Sequence, residues 1–328
     1  MQQKGLEMTS KTIDVLCAGL ALVNFPIHPV DENVFQHDVN MVSPITMLPG
    51  GDAANQAIVI SRLGGRAALL SAVGGDSMGD LLLRMMQDRG RNLDVSHVAV
   101  VEGQTTGVAA MLIRPDGQRN FCINRGCLLE FGLKHIDMRL LDQTKIVSIG
   151  GLMSLPGFDG KGTEKFFRKA KEAGVVTVAD TKKDLWNIGL DGIRGTLAYT
   201  DYFFPSLEEA QAVSGKGTIE EMAETFLECG ASHVGIKLGG KGCYFRDRDQ
   251  EFCLPAFVCE AIDTTGAGDN FMAGFITGLL NGWDMKTCCR FASAAGAICA
   301  SALGPNSAVT DMEQVMEFLA EHGEPQRK

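Results

Sequence analysis

The sequence predicts a doubly wound α/β fold, in which helices cover both faces of a mostly parallel sheet. Apolar runs of strand length alternate with segments of helical periodicity along most of the chain, a rhythm typical of βαβ units. The 328 residues suffice for one large hydrophobic core. We therefore expect one α/β domain over residues 12–328, preceded by a disordered leader at residues 1–11.

The individual elements follow from the hydrophobic pattern. An apolar strand is expected at residues 13–22, an amphipathic helix at 53–63, a second strand at 67–73 and a second helix at 79–87. The alternation resumes in the second half of the chain. There it predicts strands at 146–150, 175–179, 202–205 and 233–238, and helices at 162–173, 219–229 and 270–280.

Two segments interrupt this alternation and predict a small accessory sheet rather than a second domain. Residues 33–48 and 106–124 both have the character of extended chain. In the second segment, Asp116-Gly117 separates two apolar runs, and this dipeptide is typical of a tight hairpin turn.

Composition excludes several classes of function. The formal net charge of −10 argues against a nucleic-acid interface, which needs a clustered excess of Lys and Arg. Ten scattered cysteines without a signal peptide favour a reducing cytoplasm. No apolar run is long enough to span a bilayer. We expect a cytoplasmic protein that binds neither nucleic acid nor membrane.

Residues 263–269, which read DTTGAGD, carry the strongest chemical signal. The small residues Gly266, Ala267 and Gly268 leave their backbone amides uncovered just before a predicted helix, whose N-terminus adds positive partial charge. This arrangement predicts an anion cradle. A carboxylate beside bound phosphate is repelled, so Asp269 is best explained as the base that deprotonates an attacking hydroxyl. Alone, the motif is better explained as a turn followed by a helix cap.

The sequence resembles the ribokinase-like (PfkB) carbohydrate kinases from about residue 13 to residue 309. Residues 50–57, which read GGDAANQA and continue to Leu63-Gly64-Gly65, are similar to the N-terminal signature of that family. Residues 263–269 with Ala273-Gly274 are similar to its C-terminal signature. The resemblance implies the ribokinase-like fold and ATP-dependent phosphorylation of a hydroxyl on a small sugar or sugar acid.

The resemblance also implies roles for residues around the acceptor. Asp269 corresponds to the catalytic base, and the amides of residues 266–268 correspond to the anion hole. The residues implied to hold the acceptor are Asn24, Gly51, Asp52, Asn55 and Arg125. Many relatives have Asp at the position of Asn24, so a different hydroxyl pattern or a negatively charged acceptor is expected. Lys182 and Lys183, with Arg125, are candidates for pairing with an acceptor anion, the alternative being a solvated turn.

The nucleotide side is implied by three further segments. Ser206 stands where the family has Asn, and Glu209 matches a residue that organises water around Mg²⁺; alternatively, these two residues form a helix capping box. The family's glycine loop beside ATP corresponds to Lys237, Gly239 and Gly242, and its adenine border to Ser293. Asp263 and Thr265, with the loop at 299–307, match a monovalent-cation site, so K⁺ is expected.

The resemblance further implies that the accessory sheet is a lid that excludes water and pairs two copies into a homodimer. Two other functions stay open. A nucleoside kinase of the same fold needs an apolar slot, for which Phe25, Phe35 and Phe121 are candidates, although core packing explains them equally well. A non-catalytic binding protein or a dehydrogenase is disfavoured by Asp269 and by the missing GxGxxG after the first strand.

Overall fold

The computed structural model describes residues 11–115 and 118–323, so residues 1–10 of the expected leader and the expected turn at Asp116-Gly117 lie outside the described residues. The described chain forms fifteen strands. They are β1 Ile13–Gly19, β2 Leu22–Ile27, β3 Leu48–Gly50, β4 Ala67–Leu70, β5 Ala72–Gly74, β6 Leu93–Asp94, β7 Ala99–Val101, β8 Val108–Ile113, β9 Arg119–Asn124, β10 Thr144–Leu152, β11 Val176–Thr181, β12 Tyr202–Phe203, β13 His233–Lys237, β14 Cys243–Arg246 and β15 Glu251–Leu254.

Within the described residues, nine strands form the main sheet in the order β15-β14-β13-β12-β11-β10-β1-β4-β6. Neighbouring strands from β13 to β6 are parallel. The pairs β13-β14 and β14-β15 are antiparallel and form one edge. Because all the parallel strands run in one direction, their carboxyl ends lie along the same edge of the sheet.

Helices cover both faces of the main sheet. The described α-helices are α1 Asp52–Arg62, α2 Ser77–Arg89, α3 Lys161–Glu172, α4 Gly189–Leu197, α5 Leu207–Ser214, α6 Ile219–Glu228, α7 Ala267–Leu280, α8 Met285–Ala300 and α9 Met312–His322. The buried apolar residues of α1, α2, α7, α8 and α9 belong to one cluster, and those of α3 to α6 belong to a second. Among the described helices, none has the length and apolar character that crossing a membrane requires.

A smaller sheet has the strand order β3-β2-β8-β9. The expected lid segment at residues 106–124 contributes β8 and β9, but the prediction for residues 33–48 is wrong except at β3. Residues Glu32–Phe35 form a 3₁₀ helix, and Phe35 and Met41 are 94% and 87% exposed. These exposed apolar side chains therefore do not pack on a face of the sheet. The fourth strand of the small sheet is instead β2, which follows β1 after a break at Leu20-Ala21.

The aromatic packing behind α7 positions this helix on the sheet. Phe204 follows β12, is fully buried, and packs against Phe271 and Phe275 of α7 with ring-centroid distances of 5.8 and 4.4 Å. Its ring lies so close to Gly235 of β13 that a Cβ added there would be 2.0 Å from Cε1 of Phe204. The sheet therefore accepts only glycine at residue 235.

We predict that Gly235→Ala lowers the free energy of unfolding by about 1–3 kcal/mol, because the methyl group overpacks a core that has no free space. Chemical denaturation measures the change. Gly217→Ala is the matched control, since an added Cβ at Gly217 meets no atom within 4 Å; its effect should stay within about 0.5 kcal/mol. Equal unfolding midpoints for the two variants would contradict the packing described above.

Candidate active site

The N-terminal ends of α1 and α7 meet at the carboxyl edge of the sheet. Helix α1 begins at Asp52, directly after Gly51, and α7 begins at Ala267, directly after Gly266. Gly266 has a left-handed backbone with φ of 77°, and a Cβ there would lie 2.4 Å from the carbonyl oxygen of Pro305. Glycine is therefore required at this helix start.

A chain of buried side-chain amides joins the two helices. Asn306 Nδ2 donates to Asn55 Oδ1 at 2.8 Å and to the carbonyl of Pro49 at 2.9 Å. Asn55 Nδ2 in turn donates to Asp269 Oδ2 at 2.6 Å. Asn55 thus presents its NH₂ group to the carboxylate because Asn306 occupies its oxygen. Asn55 and Asp269, which the sequence assigns to separate roles, are thus in direct contact.

Asp269 is a buried carboxyl whose pKa is raised well above its usual value. Burial is the largest cause of the raised pKa, and the charge of Asp52 adds to it. Lys182 and the hydrogen bond from Asn55 act in the opposite direction. A carboxyl with such a pKa holds a proton more readily than an exposed one, as a general base must.

Of the three amides expected to form an anion cradle, one is engaged within the protein. The amide of Ala267 donates to the carbonyl of Thr264 at 3.2 Å, which makes it part of the turn. The amides of Gly266 and Gly268 have no acceptor among the described residues. These two donors at the start of α7 can bind an anion together with the partial charge of the helix.

Lys237 places a cation beside this cradle. Its Nζ lies 3.5 Å from where a Cβ of Gly268 would be, and it pairs with Asp180 Oδ2 at 3.2 Å. Burial lowers the pKa of Lys237, but Asp180 and Glu209 outweigh burial and raise the pKa overall. The ammonium therefore stays charged where phosphate groups would approach the cradle.

A cavity of about 450 Å³ opens next to the cradle. Four of the residues expected to bind ATP line it, namely Lys237, Gly239, Gly242 and Ser293, together with Ala267 and Gly268. Its remaining walls come from the segment at residues 256–261 and from α7 and α8. Its size and largely apolar walls are typical of a small-ligand site.

Ser206 does not line this cavity. The structure shows the capping box in full: Ser206 Oγ accepts from the amide of Glu209, and Glu209 Oε2 accepts from the amide of Ser206 at 2.8 Å. Thr181 Oγ1 also donates to Glu209 Oε2. Among the described residues, no group of three or more His, Cys, Asp or Glu side chains could hold a metal. A Mg²⁺ ion here would depend on water and ligand oxygens.

Asp263 organises the loop before α7. Its Oδ1 accepts from the amide and hydroxyl of Thr265, and its Oδ2 accepts from the amide of Gly304 at 3.0 Å. Arg119 of β9 reaches the same loop, donating from Nη1 to Thr264 Oγ1 at 2.7 Å. The small sheet is therefore bonded directly to the loop that forms the cradle.

Three of the residues expected to hold the acceptor lie on β2, directly before α1 and directly after β9. Gly51 has φ of 96° and lies against the carbonyl of Leu20. Asn24 of β2 is buried against Gly50, and no hydrogen-bond partner for its side chain occurs in the described part of the chain. Arg125 Nη1 donates to the carbonyl of Ser154 at 2.6 Å.

Lys182 pairs with Asp52 rather than standing in a solvated turn. Its Nζ lies 2.9 Å from Asp52 Oδ1. The attraction of Asp52 is the largest cause of the raised pKa of Lys182, and Asp269 contributes to it. Lys183, its neighbour in sequence, is exposed.

Sequence reasoning missed two residues and one ion pair of the site. Asn306 lies 251 positions from Asn55, and nothing in its local sequence indicates the contact. Arg119 follows the turn dipeptide and was not distinguished from other surface charges. The Lys182–Asp52 pair also needs the fold, because it joins the end of β11 to the start of α1.

Comparison with known proteins agrees with this geometry. The family model described as pfkB family carbohydrate kinase matches residues 12–312. A ribokinase of Haemophilus influenzae is 29% identical over 277 residues, covering 82% of this chain and 87% of that protein. A nucleoside kinase of Methanothermobacter thermautotrophicus is 28% identical over 315 residues, covering 96% and 98%. The crystal structure of a Thermotoga maritima ribokinase is 26% identical, with a TM-score of 0.81, covering 94% and 99%.

The fold and the cleft define a kinase with the ribokinase-like architecture, which confirms the fold class predicted from the sequence. The chain belongs to the pfkB family of carbohydrate kinases. The relatives just described include kinases of sugars and of nucleosides, so the family alone leaves the acceptor open.

We predict that Asn306→Ala lowers the free energy of unfolding by about 1–3 kcal/mol, because Asn55 Oδ1 and the carbonyl of Pro49 lose their donor while buried. Urea denaturation measures the loss. Asn281→Ala is the control: its side chain is exposed and bonds only to the carbonyl of Thr277, so water replaces the bond. If both variants unfolded at the wild-type denaturant concentration, the amide chain would have no role in stability.

Proposed function

We propose that this protein transfers the γ-phosphoryl group of ATP to a hydroxyl of a small sugar or sugar acid, with Asp269 as general base. The observation that carries the proposal is the position of Asp269 at the start of α7. There its carboxylate accepts from Asn55. The amides of Gly266 and Gly268, which have no acceptor among the described residues, belong to the same helix start, and Gly268 lines the 450 Å³ cavity.

In this proposal the acceptor hydroxyl donates its hydrogen bond to Asp269. The proton passes to the carboxylate while the hydroxyl oxygen bonds to the γ-phosphorus and the bond to the ADP oxygen breaks. The amides of Gly266 and Gly268 and the ammonium of Lys237 stabilise the charge on the transferred group. Bound ATP supplies the phosphoryl group, and Mg²⁺ supplies positive charge along the phosphates.

The metal and lid assignments are parts of the same proposal. Glu209 keeps one oxygen beyond its capping bonds, which suits contact with Mg²⁺ through water. The K⁺ site at Asp263 and Thr265 stays a prediction, because that carboxylate already accepts three hydrogen bonds. The bond from Arg119 to Thr264 supports closure of the small sheet over the cleft.

Pairing of two copies through the small sheet also stays a prediction. Its support is the strand β9, where Phe121 and Ile123 are 43% and 46% exposed. A nucleoside kinase remains the second candidate, favoured by the likeness to a nucleoside kinase over 96% of the chain. Of the aromatic residues considered for a base slot, Phe35 is exposed and Phe25 packs against the core.

We predict that Asp269→Asn lowers the rate of ATP-dependent phosphorylation by about 10²–10⁴-fold, because an amide cannot take the proton. A coupled assay over sugars, sugar acids and nucleosides identifies the acceptor and then measures the variant. Asp191→Asn, at an exposed helix position, is the control and should match the wild type. Wild-type turnover by Asp269→Asn would refute the proposed base.

The raised pKa of Asp269 predicts the pH dependence of kcat. The base works only when ionised, so activity is lost as the pH falls through this pKa, above the range of an ordinary carboxyl. Asp52→Asn removes a charge that raises the pKa, so the acid limb of the kcat profile should move to lower pH. An unmoved limb, or one at higher pH, would contradict this electrostatic coupling.

A further inference from the structure

The ion pair between Lys182 and Asp52 acts on Asp269 through its charges in the mechanism above, but it has no assigned contact with the acceptor. Lys182 Nζ is 2.9 Å from Asp52 Oδ1, and the lysine side chain is 48% exposed while the aspartate is 5% exposed. The pair therefore has a buried anionic end and a cationic end that faces the cleft.

Among the described residues, Lys182 is the ion-pair partner of Asp52, and Arg125 acts on Asp52 only through its charge. The other oxygen of Asp52, Oδ2, is buried and has no hydrogen-bond partner among the described residues. A Cβ added to Gly151 would lie 2.6 Å from Oδ2, so the strand end closes over that oxygen. Recruiting Lys182 to another anion would leave a buried carboxylate without compensation, which is strongly unfavourable. Lys182 is therefore held by Asp52 and offers only its remaining N–H donors to a ligand.

The charges around Lys182 favour an uncharged ligand. Asp52, Asp180 and Asp269 are all buried at this end of the cleft, and they act on one another and on the two lysines. Among the described residues, the cations that act on these carboxylates are Lys182, Lys237 and Arg125, and the two lysines are already paired with Asp52 and Asp180. An anionic group placed beside Lys182 would therefore meet a paired cation and nearby buried carboxylates, and like charges brought together weaken binding.

A hydroxyl group meets these conditions where a carboxylate or phosphate does not. It accepts a hydrogen bond from the exposed ammonium without drawing the lysine away from Asp52, and it can donate to a carboxylate at the same time. Asn24, with no side-chain partner in the described chain, adds a neutral donor and acceptor to the same half of the cleft.

We propose that the Lys182–Asp52 pair is a specificity determinant that makes the acceptor a neutral polyhydroxy compound and disfavours sugar acids and sugar phosphates. This inference rests on the proposed kinase activity and narrows it. Lys182 contacts an acceptor hydroxyl next to the one that reacts at Asp269, and Asp52 is the positioning residue that fixes the ammonium.

The test compares matched acceptors with the full chain: ribose, ribonate and ribose 5-phosphate, and likewise fructose and fructose 6-phosphate, in a coupled ATP assay. We expect the best neutral sugar to exceed its charged counterparts in kcat/KM by about tenfold or more. Lys182→Met should raise the KM for the neutral acceptor by about tenfold or more while the KM for ATP stays unchanged. Lys216→Met, at an exposed position that follows α5, is the control and should leave both KM values as in the wild type.

The Asp52→Asn variant distinguishes a role of the ion pair in acceptor specificity from a purely structural role. The substitution frees Lys182 for an anion, so the ratio of kcat/KM for the neutral acceptor to that for the charged acceptor should fall by about tenfold. Lys182→Arg keeps the charge and should retain more of the neutral preference than Lys182→Met.

A wild-type preference for ribonate or a sugar phosphate, or an unchanged acceptor KM in a folded Lys182→Met variant, would overturn the inference. Either result leaves the kinase proposal intact as long as the wild type phosphorylates an acceptor and Asp269→Asn strongly lowers that rate. If the proposed base were wrong, the Asp269→Asn variant would instead phosphorylate the acceptor at the wild-type rate.

Discussion

The burial of Asp269 is the constraint on which the rest of the site depends. A carboxylate removed from water must be compensated by hydrogen bonds and opposite charge, or it takes up a proton and loses its use as a base. The buried charge of Asp269 is compensated only partly, by the hydrogen bond from the Asn55 amide and by the nearby charge of Lys182. Its raised pKa is the result of this balance, because Asp52 and Asp180 act against the compensation.

The parallel sheet explains why these groups meet. Asp180 lies near the end of β11, Lys237 is the last residue of β13, and Gly151 lies near the end of β10. All three are therefore at the carboxyl edge of the main sheet, where clefts of open α/β sheets form. The first turns of α1 and α7 converge on the same edge, and their N-terminal amides give it a positive character that offsets the buried carboxylates.

The sequence indicated most of this site because its signals are local. The alternation of strands and helices predicted the main sheet, and the small residues at 266–268 predicted the helix start, since both depend on neighbours in the chain. The small sheet was predicted only in part. Strand β2 was not predicted as separate from β1, because it forms by pairing with β8, which is distant in sequence. The apolar residues at 33–47 indicated a strand, but several of them are exposed. Asn306 and the Lys182–Asp52 pair were out of reach, because distant segments form them only in the folded chain.

The two lysines of the cleft show how one fold can serve two different ligands. Each is tied to one carboxylate, Lys237 to Asp180 and Lys182 to Asp52, so each stays charged before any ligand binds. They differ in surroundings: Lys237 is 12% exposed beside free backbone amides, whereas Lys182 is 48% exposed beside a carboxylate with an unpaired oxygen. In the functions proposed above, a lysine therefore has different consequences in these two surroundings. Lys237, next to amide donors, would strengthen binding of phosphate, and Lys182, next to buried carboxylates, would bind a polar, uncharged acceptor.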